Sequence, residues 1–98
     1  MPEIKEQAPL DADSVLNYLR KLAREELQMP KEKVETISMS TNLVGGLQLD
    51  SLAQAVLIAE VEEKYGFWFE LEERTQLQQA ETVGDFVEII LTAVQRSS

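Results

Sequence analysis

Val83, Phe86, Val87, Ile90 and Val94 recur at i, i+3, i+4, i+7 and i+11 near the end of the chain. That spacing lines one face of an α-helix. Thr82 and Asp85 stand where a capping box would start it, Asp replacing the usual Glu. The helix is expected to run to about Arg96. The same period appears near the start, in Val15, Leu16, Leu19, Leu22, Ala23 and Leu27. Asp11 and Asp13 are candidate N-caps for a first helix over about residues 13–27, and Pro30 follows its end. Between these two lies a third amphipathic stretch that opens near Asp50 or Ser51. Leu57, Ile58, Val61 and Tyr65 form its core stripe, and Gly66 is placed to cap its exit. Leu52, Val56, Ala59 and Glu63 form a second stripe.

Strands find little room in this pattern. Phe67-Trp68-Phe69 alternates, but no second convincing strand exists to pair with it, and an isolated strand is not viable. The segment reads as an extended linker with Phe67 and Phe69 turned in and Trp68 turned out. A short helix is expected between Glu72 and Gln79. Residues 29–50 form a long connection, whose Val34, Ile37, Leu43, Leu47 and Leu49 are spaced to pin it onto the helices. The fold class is all-α: a small antiparallel four-helix bundle with a long first loop and a short third helix. Residues 1–10 lack periodicity, hold two prolines and read as a disordered tail, leaving residues 11–98 as one domain.

Composition removes several kinds of chemistry. The 98 residues include no Cys and no His. Disulfides, thiolate metal sites and thiol nucleophiles go with the first. The usual general base, the serine-hydrolase triad and histidine metal sites go with the second. No EF-hand spacing is present, so no metal site is expected. The net charge is -9, and residues 34–98 alone carry -8 against -1 for residues 1–33. Such a surface suits basic patches on other proteins and disfavours nucleic acid. No signal-like segment or spanning apolar run is visible, so a monomeric cytoplasmic protein without membrane insertion is expected.

The one serine of the central helix is Ser51, following Gly45-Gly46 and Asp50. On local pattern it is a helix cap. A helix N-terminus with unpaired N–H groups is also a good place to hold or attach a phosphate. With no His nearby, Ser51 would need a base from another enzyme.

Leu49-Asp50-Ser51-Leu52 resembles the Asp-Ser-Leu attachment site of acyl carrier proteins. The similarity continues through "LRKLAREELQMPKEKVE", "LIAEVEEKYGFWF" and "ETVGDFVEII", covering about residues 11–94. The resemblance implies a carrier domain over residues 11–98. In it a phosphopantetheinyl transferase moves 4'-phosphopantetheine from coenzyme A onto Ser51, within the motif of Asp50 and Leu52. The arm would carry acyl intermediates as thioesters for fatty-acid or polyketide-type biosynthesis, and the chain itself would catalyse nothing. Acyl-handling synthase enzymes with basic patches would dock on the central helix, through Leu52, Val56, Ala59, Glu62 and Glu63. Four positions depart from the family pattern. Gln48 stands where Gly is usual, Leu27-Gln28 where Leu-Gly is, Val56 where an acid is, and Trp68 where a polar residue is common. The competing reading is an unmodified acidic helical interaction module in which Ser51 is only a cap.

Overall fold

A computed structural model describes residues 10–46 and 49–97. Five helices are present among the described residues: α1 (Ala12–Glu25), α2 (Lys31–Glu35), α3 (Ser51–Tyr65), α4 (Leu71–Gln79) and α5 (Val83–Ser97). No strand is present among these residues; one isolated bridge joins Asn42 to Thr82. The all-helical class holds, with one helix more than the four expected. The addition is α2, a five-residue turn whose N-cap residue is Pro30. Proline at a helix entrance supplies a preset φ and gives up no needed N–H, so Pro30 starts α2; α1 has already ended at Glu25.

The expected caps form. Asp11 Oδ1 accepts from Ser14 N at 2.9 Å and starts α1. Thr82 and Asp85 exchange backbone-to-side-chain bonds at 3.2 Å and start α5. Gly66, at φ 71°, ends α3 in the left-handed region, where a Cβ is unfavourable. Gln28 also stands at positive φ, 57°. It stands where the resemblance would put Gly, so a residue with a Cβ carries the chain out of α1.

The core joins Val15, Leu19, Leu22 and Ala23 of α1 to Leu57, Ile58 and Val61 of α3 and to Leu77 of α4. Val83, Phe86, Val87, Ile90 and Ala93 of α5 complete its helical part. Val94, expected in the α5 stripe, packs at its edge, and Ala93 takes the fully buried place. The long connection is ordered by its apolar residues: Met29, Ile37, Leu43 and Leu49 are buried and Val34 packs against them. Its backbone is tied to the start of α5. Leu43 N donates to Glu81 O at 2.9 Å, Val83 N to Thr41 O at 2.8 Å, and Gly84 N to Met39 O at 2.8 Å. Arg20 Nε donates to Ile37 O at 3.0 Å, which anchors the connection to α1. Gly46 packs so tightly on the loop that a Cβ would meet Asn42 O at 2.6 Å. The close approach explains one of the two glycines before the motif. Leu47, expected as a pin, and Gln48 lie outside the described residues. So does the expected tail, except that Leu10 packs against the core. No described helix is long and apolar enough to cross a membrane.

Candidate functional site

The loop delivers the chain to α3 at Asp50. Asp50 is the N-cap, and its Oδ1 accepts from Ala53 N at 2.8 Å. This bond satisfies one orphan donor of the first turn and places a carboxylate against the positive end of the helix dipole. Ser51 is therefore the first helical residue rather than the cap. It is exposed, and its hydroxyl makes no hydrogen bond among the described residues. Leu49, just before, is 5% exposed. The motif thus reverses direction in three residues: Leu49 is fixed in the core, Asp50 holds the helix end, and Ser51 and Leu52 face solvent. Leu52 is 73% exposed.

Along α3 the two stripes separate as their spacing requires. Leu57, Ile58 and Val61 are buried, and Tyr65 packs edge-on to Tyr18 with ring centroids 5.8 Å apart. Burial raises the pKa of both phenols. On the other side Leu52, Ala59 and Glu63 are exposed and Val56 is half-buried. Those four share one face; Ser51, at the start of the helix, stands beside that face, on the side of Ala55, Ile58 and Glu62.

Glu62 does not join them. It is 7% exposed, so the carboxylate expected to take part with Glu63 in docking partners is turned into the fold. Its Oε2 accepts from Phe69 N at 2.8 Å and from Arg74 Nη2 at 2.7 Å. A buried carboxylate needs such partners. Here they lock the linker after α3 and bring α4 alongside. The sequence did carry a signal. Glu62 follows Ile58 by four residues and Val61 by one, which places it on the core stripe. Arg74 was missed because its partner lies twelve residues back across a turn.

A groove of about 510 Å³ begins at Ser51 and runs along Gln54, Ala55, Ile58, Ala59 and Glu62, with Arg74 and Gln78 of α4 opposite. At the far side of α4, Glu73 accepts from Arg96 Nε at 2.9 Å and from Glu70 N at 2.8 Å. The Arg96 hydrogen bonds hold the Glu73 carboxyl below its ordinary pKa. No cluster of acids among the described residues is arranged to hold a metal ion.

The site fits a phosphate ester. The Ser51 hydroxyl is reachable and uncommitted, and it opens a fifteen-residue helix whose first turn presents N–H groups and partial positive charge. Comparison with known proteins points the same way. The profile of the family described as "phosphopantetheine attachment site" matches residues 17–90. The acyl carrier protein of Coprothermobacter proteolyticus is 35% identical over 81 residues, covering 83% of this chain and 92% of that protein. A match that spans α1 to α5 and a relative aligned over nearly its full length place the chain in the acyl carrier protein family, whose covalent group is 4'-phosphopantetheine.

Proposed function

We propose that Ser51 Oγ is the point of attachment and that the chain is a discrete carrier for fatty-acid or polyketide-type biosynthesis. The observation that carries this reading is the division of labour at the start of α3: Asp50 does the capping, which leaves the Ser51 hydroxyl without a hydrogen-bond partner among the described residues. As an acyl carrier protein the chain is a carrier and substrate of other enzymes, not an enzyme. The bound group supplies a thiol on a long arm, which holds acyl groups as thioesters. The protein's own residues do the rest. Leu49 and the Asp50 cap fix the backbone on which Ser51 stands. The first-turn N–H groups favour negative charge at the ester. The absence of His leaves activation of the hydroxyl to a base on the transferase.

Leu52, Val56, Ala59 and Glu63 form the surface that a transferase or acyl-handling enzyme meets when it reaches Ser51. With 1.5 Å of rise per residue, Glu63 lies about 18 Å along α3 from Ser51, within the span of one protein footprint. Basic patches complement it and the -8 carried by residues 34–98. Glu62 contributes through the fold, not through this surface. Intact-mass measurement after incubation with coenzyme A and a broad-specificity phosphopantetheinyl transferase tests the attachment. One phosphopantetheine adduct per chain is expected. An unmodified chain would support the alternative, an acidic helical interaction module.

A further inference from the structure

Trp68 is 78% exposed, and Leu71 close after it is 81% exposed. An indole in water is a cost the fold does not require, since Phe67 and Phe69 alone fill the core on either side, edge to face at 4.7 Å. Its backbone is nonetheless held from several directions. Phe67 N donates to Glu62 O at 3.2 Å, Phe69 N to Glu62 Oε2 at 2.8 Å, and Arg96 Nη2 reaches Trp68 O at 3.4 Å. The ring is therefore an exposed aromatic on a fixed mount. Beside it lies a recess of about 480 Å³, lined by Trp68 and Phe67 of the linker, Gly66, and Ala59, Glu62 and Glu63 of α3.

The charges around the recess are arranged asymmetrically. Arg74 is paired with Glu62, and Arg96 with Glu73 and Glu70. Lys64 lies over the Tyr18 ring, 5.3 Å from its centroid. Glu63, exposed at the rim, has no ion pair among the described residues. The recess thus offers one uncompensated carboxylate and one open indole in a single lining, alongside the small residues Ala59 and Gly66.

We propose that this recess seats an arginine side chain from the basic surface of a partner protein. A guanidinium can stack flat on the indole while its N–H fork meets the Glu63 carboxylate, which a compact ammonium cannot do together. The recess also shares Ala59 and Glu62 with the groove that begins at Ser51, so a partner extended along α3 covers both. The seat does not depend on Ser51 being the attachment point.

Trp68 is the chain's one tryptophan, so its emission reports on this place alone. The phosphopantetheinylated protein and the Ser51→Ala variant are each titrated with a tryptophan-free peptide of alternating arginine and alanine. Peptides with lysine or with neutral, isosteric citrulline at the same positions serve as comparisons. A saturating emission change is expected for the arginine peptide in both proteins, weaker with lysine and lost with citrulline. An exposed cation–π contact backed by a rim ion pair corresponds to a several-fold effect, so Glu63→Gln should weaken binding about fivefold. Glu81→Gln, an equal charge change away from the recess, should alter binding by less than about twofold. Equal binding of arginine and citrulline peptides would overturn the proposal, as would equal losses in the two glutamate variants, which would mean diffuse charge. A change in emission and sedimentation with protein concentration alone would overturn it in favour of a second copy covering Trp68.

Discussion

The two ends of α3 are built for opposite tasks. At its start one side-chain bond among the described residues, Ala53 N donating to Asp50 Oδ1, holds the helix, and Ser51 and Leu52 are left open to solvent. At its exit Gly66 turns the chain, a buried carboxylate takes two donors, and Arg96 ties the linker to α4. The economy of the start suits the proposed attachment, which needs a hydroxyl that another protein can reach. The exit is heavily bonded because it sets where α4 lies, and α4 supplies the opposite wall of the groove that begins at Ser51. On that reading the helix presents an open end from a firmly bonded one.

The strongest challenge to this contrast is at the exit. Glu62→Ala would leave Phe69 N–H without its acceptor and Arg74 without its carboxylate. Arg74 is partly exposed and water would meet part of its need, so a loss of about 2 kcal/mol is expected. Urea denaturation measures it, and an unchanged midpoint would show that the exit is not held by this pair. Asp50→Ala at the start removes a cap alone and should cost about 1 kcal/mol in the same assay. A cost at Asp50 greater than at Glu62 would invert the comparison.

A third substitution contrasts two helix exits. α3 leaves through Gly66 and α1 through Gln28, both at positive φ. The left-handed conformation is strained for a residue with a Cβ, and glycine relieves that at some entropic cost in the unfolded chain. Gln28→Gly should therefore gain about 0.5 kcal/mol. A loss would mean that the Gln28 side chain contributes more than the strain it carries.

Glu63→Lys is expected to leave stability within about 0.5 kcal/mol, as for a surface position. Its effect should appear in the rate of loading by the transferase, chiefly through association, and should shrink as salt shortens the Debye length below about 8 Å. A loading rate indifferent to both the charge reversal and salt would leave this face a solvated helix surface.

The sequence made the apolar skeleton legible because periodicity reports burial wherever apolar residues do the burying. The stripes of α1 and α5, the outward Trp68, the Gly66 exit and the ordering of the long loop by Ile37, Leu43 and Leu49 all follow from that. It was less informative where polar atoms sit inside. Glu62 reads as one of three acids near the end of α3, with Glu60 and Glu63, and its inward position depends on a cation and a backbone N–H that the fold brings from beyond the turn. The α2 turn was hidden for a different reason: five residues without a buried side chain leave no stripe to detect. At the site, the Asp50-Ser51-Leu52 motif was visible at once. Which residue caps and which is free was not, because Asp and Ser are both good caps and only the backbone register decides between them.

The central claim is that the Ser51 hydroxyl has no structural role and exists to be modified. Ser51→Ala tests it when stability and loading are measured on the same sample. The account predicts a urea midpoint unchanged within about 0.5 kcal/mol and, by intact mass after incubation with coenzyme A and the transferase, no phosphopantetheine adduct where wild type takes one. An adduct that persists on Ser51→Ala would contradict it.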